Sequence, residues 1–184
     1  MLSTAPRSIA ITSIRQMDET RAMTGATRLI SVVNAHLMPA TPEGIAPCDH
    51  LRLPISDARA ERGEGRHVTE PLIAKLIEFV RAWPRDAPLL IHCFSGLNRS
   101  PAAAYIALAV LNPDVPESLI AYRLRAASET AAPNPTMIGV ADVLLGRNGN
   151  LKSAIDMIGP GAPAAEGRPF SIISDFGSRR PDAT

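Results

Sequence analysis

One nine-residue segment, between a short apolar run and an alanine-rich run, constrains this sequence more than any other. It reads His92-Cys93-Phe94-Ser95-Gly96-Leu97-Asn98-Arg99-Ser100. Residues 88–92, which lead into the segment, predict a buried β-strand. The uncharged residues 100–111, which begin at its last residue, predict a buried helix. A loop of this length between a strand and a helix can turn several backbone N–H groups toward one point. Together with the helix N-terminus, these groups form a site for an anion.

The residue types of the segment suit an anion site that contains a nucleophile. Converging amides and a nearby guanidinium favour a thiolate over a thiol, so Cys93 is the candidate nucleophile. Arg99 carries a planar fork of donors that can bind two phosphate oxygens at once, which lysine cannot do. Gly96 permits a turn that a Cβ would resist. We expect Ser100 to cap the helix or to donate to the sulfur, and His92 to orient the loop.

The order His-Cys, five residues, Arg and then Ser resembles the signature of the cysteine-based protein tyrosine phosphatases. With 184 residues, the chain is more similar to the dual-specificity branch than to the larger tyrosine-specific domains. Leu124-Arg125 and Pro133-Asn134 resemble the arginine and Pro-Asn pattern that follows the signature in that branch. The resemblance extends over residues 28–145. The loop length and the mid-chain cysteine argue against rhodaneses, low-molecular-weight phosphatases and arsenate reductases.

The resemblance implies a phosphomonoester hydrolase, either a protein tyrosine or a dual-specificity phosphatase, that needs neither a metal nor a cofactor. Cys93 would attack phosphorus to give a phosphocysteine, and water would then hydrolyse this intermediate. The phosphate would be bound by Arg99 and by the loop residues Phe94, Ser95, Gly96, Leu97 and Asn98. The expected substrate is a phosphorylated protein or a small phosphomonoester.

The family also uses an aspartate on a separate loop to protonate the leaving group. Asp57 is the candidate, because it follows the strand-like residues 51–55, and parallel strands end at the same sheet edge. It precedes Cys93 by 36 residues, slightly more than is usual in the family. Glu61 and Glu64 are the alternatives if this loop moves.

Several alternatives stay open at the level of sequence. None of the residues between Cys93 and Arg99 is basic, which weakly favours a phosphoprotein or a simple monoester over a polyphosphorylated inositol. A small or lipid phosphate monoester and a non-catalytic phosphate-binding pseudophosphatase remain alternative readings, and the preference between tyrosine and serine or threonine is open. Cys48 is predicted to be a buried or idle thiol rather than a redox partner of Cys93.

Alternating strand and helix patterns predict an α/β fold, with a central, mostly parallel sheet of four to five strands flanked by helices. Residues 1–159 are assigned to one phosphatase domain, and the proline- and glycine-rich residues 160–184 to a flexible tail, in which the short run 170–173 is the segment that could dock on the body. Strands are predicted at residues 8–14, 28–33, 50–55 and 88–92. Helices are predicted at residues 19–27, after Thr69, at 100–111, from a capping box of Asp114 and Glu117 to Ala127, between Asn134 and Gly146, and at 151–158.

Composition limits the possible partners and the compartment. The 19 basic and 18 acidic residues nearly balance, so the charge gives no reason to expect a nucleic acid or a membrane partner. No secretory signal is visible, and two cysteines do not make a disulfide framework. Because a reactive thiolate requires a reducing compartment, we expect a cytoplasmic protein. Arginine supplies nearly all the positive charge, which favours a bacterial source.

Overall fold

Five strands form one central sheet in the computed structural model, which describes residues 1–56 and 68–176. In chain order they are β1 (Ser8–Ser13), β2 (Arg28–Val33), β3 (His50–Pro54), β4 (Leu89–Cys93) and β5 (Phe170–Ile173). Their order across the sheet is β3-β2-β4-β1-β5. The first four strands run parallel, and β5 pairs antiparallel with β1. The prediction of a mostly parallel sheet in an α/β fold is therefore confirmed.

Helices cover both faces of the sheet. They are α1 (Met17–Thr24), α2 (Glu70–Arg81), α3 (Arg99–Leu111), α4 (Glu117–Ala127), α5 (Pro135–Leu144) and α6 (Asn150–Ile158). Side chains alternate between the faces of each strand, so Ile9 and Ile11 join the large core with α2–α6, whereas Ala10 joins a small cluster with Met17 of α1. Within the described ranges, no helix has both the length and the apolar character needed to cross a bilayer.

The central helix α3 holds the main core together. Its residues from Arg99 to Ala109 are all buried, and it contacts β1, β2 and β4 on one side and α2, α4 and α5 on the other. Alanines let the neighbouring elements approach closely, and Tyr105 is fully buried with its hydroxyl donating to the Leu151 carbonyl at 3.2 Å. The predicted buried helix behind the nine-residue segment is confirmed.

Two predicted helix starts had different outcomes. Asn134 caps α5 as predicted, because its Oδ1 accepts from the backbone N–H of Thr136 and of Met137, each at 3.0 Å. The capping box of Asp114 and Glu117 does not form: Glu117 is the first residue of α4, and Pro116 takes the N-cap position without a side-chain hydrogen bond. The fixed φ of proline sets the chain for helix entry two residues after Asp114.

The segment predicted as a flexible tail contributes a strand. In β5, Ile173 pairs with Ser8 and Phe170 pairs with Ile11, while the Phe170 and Ile172 side chains are buried. Asn112 at the end of α3 donates to the Ser174 carbonyl at 2.8 Å. The described part of residues 160–184 therefore belongs, at least from residue 170, to the folded body. The run 170–173, three apolar residues and a serine, is the segment expected to dock, but it is too short for its period to predict this strand pairing.

Candidate active site

Residues 94–98 link Cys93, the last residue of β4, to Arg99, the first residue of α3, and residues 93–99 together are called the anion loop. The Cys93 side chain is 1% exposed and lies inside this loop. Its Sγ accepts a hydrogen bond from the Gly96 backbone N–H at 3.3 Å and another from the Ser100 hydroxyl at 3.1 Å. Both donors, together with the N-terminus of α3, direct partial positive charge at the sulfur.

Gly96 is the position where the anion loop requires glycine. Its φ is +75°, and a Cβ there would lie 3.0 Å from the Ser13 nitrogen and 3.1 Å from the Thr12 carbonyl carbon. The loop backbone thus crosses the end of β1 at close range, and the nearby Ile14 N–H donates to the Phe94 carbonyl at 3.3 Å. Any side chain would strain the turn that directs the Gly96 amide at the sulfur.

The ends of β2 and β3 hold Arg99, which is 5% exposed. Its Nη1 donates to Oδ1 of Asn34 and to the carbonyl of Ile55, each at 2.7 Å. Its Nε is also buried but has no hydrogen-bond partner among the described residues. A buried guanidinium N–H is costly when unpaired, so this side of the fork is suited to an anionic ligand.

A second loop, before α5, fixes the far side of the anion loop. The Ala132 N–H donates to the Leu97 carbonyl at 2.8 Å, and the Asn134 N–H donates to the Asn98 carbonyl at 3.1 Å. The side chains add two bonds, from Asn98 Nδ2 to the Ala132 carbonyl and from Asn134 Nδ2 to Asn98 Oδ1, both 2.9 Å. Asn98 thus has a structural role that the sequence analysis, which placed it with the phosphate-binding residues, missed.

Arg125 stabilises that second loop rather than the anion site. Its guanidinium donates to backbone carbonyls, among them those of Glu129 at 2.6 Å, Ala131 at 2.8 Å and Gly159 at 2.9 Å. Arg125, which resembles the arginine of the family pattern after the signature, therefore has a structural role in this fold.

The segment before β5 also supports the anion loop. The Gly167 N–H donates to the Ser95 carbonyl at 2.8 Å, and a Cβ at Gly167 would lie 2.9 Å from the Gly96 carbonyl oxygen. Only glycine lets the two backbones come this close. The sequence contained no signal for this contact, because it joins a predicted tail to a loop about seventy residues away.

No family model matches the sequence, and no curated protein matches it significantly. Solved structures do match the fold. Human DUSP28 is 22% identical, with a TM-score of 0.56 over 79% of this chain and 92% of its own. DUSP15 is 14% identical, with a TM-score of 0.56 over 85% and 97%. The chain has the fold of the cysteine-based protein tyrosine and dual-specificity phosphatases. A third match, PTPMT1 in complex with PI(5)P, is 13% identical, with a TM-score of 0.54 over 76% and 90%.

This phosphatase fold brings Cys93, Arg99, Ser100 and the intervening loop residues together at the carboxyl edge of the sheet. Of the loop side chains, Phe94 is the most open, with 53% exposure. Asp57 lies outside the described residues, as do its alternatives Glu61 and Glu64.

Cys48 is exposed and lies at the opposite edge of the phosphatase fold from Cys93. His50, two residues after it, is level with Leu90, because both pair with Leu29. Cys93 is thus about 10 Å further along the strands and about 10 Å across them from His50. A disulfide needs Cα atoms within about 7 Å, so this geometry favours an idle thiol over a redox partner. The alternative prediction that Cys48 is buried is wrong, because the residue is exposed.

His92 is fully buried on the face of the sheet that carries α1. Its Nε2 lies 2.6 Å from the Ser31 hydroxyl, which also lies 2.7 Å from His50 Nε2. Burial lowers the pKa of each histidine to about 4, and Arg52 contributes to the lowering at His50. Both rings are therefore neutral near pH 7, and the predicted orienting role of His92 has a specific set of partners.

These two histidines make the stability of the fold dependent on pH. In the unfolded chain the rings take up protons below about pH 6.5, whereas in the folded chain they stay neutral down to about pH 4. The stabilisation is complete above pH 6.5 and is lost as the pH falls toward 4. Between pH 7 and pH 5, we expect urea denaturation to show a loss of about 2 kcal/mol for each ring. The loss should be smaller in His50→Gln, and an equal loss in that variant would contradict the assignment.

Proposed function

We propose that this protein is a metal-independent phosphomonoester hydrolase of the protein tyrosine or dual-specificity type, which acts through a phosphocysteine. One arrangement carries the proposal. The Cys93 sulfur accepts two hydrogen bonds inside a loop whose arginine retains a buried, unpaired Nε–H. A phosphate dianion would accept hydrogen bonds from the unused donor of Arg99 and from the amides of the anion loop at the same time.

The reaction follows from these groups. The Cys93 thiolate forms an S–P bond while the bond from phosphorus to the leaving oxygen breaks, and an acid protonates that oxygen. Water then attacks the phosphocysteine and gives a proton to the carboxylate of that acid, so that inorganic phosphate and the thiolate are released and the acid is restored. The Ser100 hydroxyl donates to the sulfur and stabilises the thiolate as it leaves in this second step.

Asp57 is the proposed acid, and its support comes from the residue two positions before it. The Ile55 carbonyl accepts a hydrogen bond from Arg99, so the chain after β3 passes beside the anion site at residue 55. A carboxyl that follows such a strand end is well placed in the sequence to serve a leaving group at that site.

The proposed substrate class is a phosphorylated protein or a simple monoester. The five loop residues between Cys93 and Arg99 supply no cation for a second phosphate. PTPMT1, one of the similar structures, was solved with PI(5)P, so a phosphoinositide belongs in the test. The experiment measures phosphate release from an aryl phosphate, a panel of phosphopeptides and soluble PI(5)P, all with a chelator present. Release from the aryl phosphate supports the proposal, and an inactive wild type that still binds phosphate would instead favour a phosphate-binding module.

Replacing Asp57 with asparagine should slow the formation of the phosphocysteine. The loss of rate should be larger for a substrate with a poorer leaving group. Since an acid is needed most by poor leaving groups, we expect kcat to fall by about 10²–10³ for phenyl phosphate and clearly less for p-nitrophenyl phosphate. Steady-state rates on both substrates check this. Glu61→Gln and Glu64→Gln are the matched controls and should stay within a few-fold of wild type. A leaving-group-dependent loss in either control, with Asp57→Asn unaffected, would move the acid to that residue.

A further inference from the structure

Carbonyl groups of the anion loop accept hydrogen bonds from backbone N–H groups that lie outside the loop. Four such bonds, each given from donor to acceptor, are Ile14 to Phe94 (3.3 Å), Gly167 to Ser95 (2.8 Å), Ala132 to Leu97 (2.8 Å) and Asn134 to Asn98 (3.1 Å). The peptide units of the loop are trans, so the C=O and the N–H of each unit point in opposite directions. Each outward carbonyl therefore directs the N–H of the next residue into the loop.

The Ser95–Gly96 peptide unit shows this relation most directly. Its carbonyl accepts from Gly167 outside the loop, and its N–H donates to the Cys93 sulfur inside the loop at 3.3 Å. The N–H groups that follow the other three outward carbonyls donate to no acceptor among the described residues. The loop thus directs one N–H at the nucleophile and leaves three available for an anion.

Nothing within the loop itself fixes the orientation of the Ser95–Gly96 unit. When a peptide plane turns over, ψ of the residue before it and φ of the residue after it change in opposite senses. Gly96 has a φ of +75°, and a glycine adopts negative φ as readily. A turned unit would direct the Ser95 carbonyl, instead of the Gly96 N–H, into the anion site. Among the described residues, Gly167 is the donor that holds this carbonyl outside.

Gly167 is itself fixed from both sides along the chain. Before it, the Ala162 N–H donates to the Glu129 carbonyl at 2.8 Å. After it, β5 pairs with β1 from Phe170, which is in register with Ile11. Gly167 is buried between these two contacts, so its N–H stays in place against the anion loop.

We propose that Gly167 is a positioning residue of the site, whose N–H holds the Ser95 carbonyl outside the anion loop and thereby keeps the Gly96 N–H directed at the sulfur and at a bound phosphate. The segment before β5 then contributes to phosphate binding although it need not contact the substrate. Turning the unit over would replace a donor to the dianion with a carbonyl dipole of the wrong sign. The inference deepens the proposed function and rests on it.

The sharpest test removes the Gly167 N–H alone. Glycolic acid in place of Gly167, introduced by nonsense suppression in cell-free translation, replaces the amide with an ester and deletes the donor without adding a side chain. The matched control is lactic acid in place of Ala162, which deletes a second 2.8 Å bond from the same segment to a loop carbonyl, that of Glu129. Each ester loses one backbone hydrogen bond, so both should be less stable to urea than the wild type.

The orientation of the Gly96 N–H is measured by its residual dipolar coupling in ¹⁵N-labelled protein. We expect the wild type and the Ala162 ester to share a coupling that fits an N–H directed at Cys93 Sγ, and the Gly167 ester to differ from both. An unchanged coupling in the Gly167 ester would overturn the proposal. This measurement requires neither turnover nor bound phosphate, so it decides the positioning role even if the proposed function fails.

The consequence for the site is measured by titration calorimetry with inorganic phosphate and by kcat/KM for an aryl phosphate. In the Gly167 ester, the Kd for phosphate should rise and kcat/KM should fall, each by about tenfold, because a hydrogen bond to a charged ligand is lost. The Ala162 ester should keep the wild-type values. Equal phosphate affinities in the two esters would overturn the proposal. Weaker binding by the Gly167 ester, in a protein that hydrolyses no phosphate, would support the positioning role while the proposed function failed.

If the Gly167 ester does not fold, Gly167→Ala tests the same contact, with Gly161→Ala as its control. A Cβ at Gly167 would lie 2.9 Å from the Gly96 carbonyl oxygen, and one at Gly161 would lie 2.6 Å from the Thr130 carbonyl oxygen. Both variants therefore force two backbones apart, but only Gly167→Ala should change the Gly96 coupling and weaken phosphate binding. Changes of the same size in Gly161→Ala would overturn the proposal, because they would follow from a general loosening of the segment.

Discussion

Replacing Cys93 with serine is expected to reduce the hydrolysis of an aryl phosphate by at least about 10⁴-fold. A serine hydroxyl stays protonated under conditions that give a thiolate, and the protein places no general base beside it among the described contacts of Cys93. Arg99 and the backbone amides of the anion loop, to which phosphate binding is assigned, would remain, so the variant should still bind inorganic phosphate. Steady-state rates and phosphate titration calorimetry on the same samples check both parts.

The control for this variant is Cys48→Ser, which removes the other thiol of the chain. Because Cys48 is exposed and lies at the opposite edge of the sheet, we expect its replacement to leave kcat and KM unchanged. Rapid acid quenching should trap phosphate on the wild type and on Cys48→Ser but not on Cys93→Ser. A Cys93→Ser enzyme with a tenth of the wild-type rate, or with trapped phosphate, would contradict the phosphocysteine mechanism.

Local sequence patterns were sufficient to predict the strands and helices that have a strong hydrophobic period or clear capping and turn residues. The strand at residues 28–33 is observed with the predicted bounds, and α3 begins one residue before its predicted start. The short loop from β4 to α3 then left little freedom for Cys93, Gly96 and Arg99, since a strand end and a helix start fix both ends of the turn. This is why the strand, turn and helix around Cys93 could be predicted from nine residues.

The parts that sequence did not predict depend on contacts between distant segments. The bond from Gly167 to Ser95 joins the segment before β5 to the anion loop in mid-chain, and the antiparallel pairing of β5 with β1 joins two strands at opposite ends of the described sequence. No local period encodes such pairings. The Ser31 hydroxyl meets His92 across 61 residues of sequence, and only the order of the strands brings them side by side. The sequence signal available for this contact was the presence of polar residues within apolar strands, because a buried serine or histidine needs a hydrogen-bond partner.

Replacing Arg99 with lysine is expected to lower kcat/KM for an aryl phosphate by about 10²–10³-fold, although the charge is kept. Arg99 uses Nη1 on Asn34 and Ile55 and keeps its buried Nε–H unpaired among the described residues. A lysine ammonium is a single point of charge, so it cannot hold both protein acceptors and also present a fork to two phosphate oxygens.

Arg147→Lys is the matched control, because the Arg147 guanidinium lies outside the site, is largely buried, and binds the Pro113 and Ala109 carbonyls and the Glu117 carboxylate. Both variants should lose some stability to urea, whereas only Arg99→Lys should lose activity, with KM raised and kcat lowered. Both kcat and KM need to be measured, because loss of a guanidinium that bound the ground state and the transition state equally would change KM alone. A kcat/KM of Arg99→Lys within a few-fold of Arg147→Lys would mean that phosphate is held by the loop amides without the guanidinium.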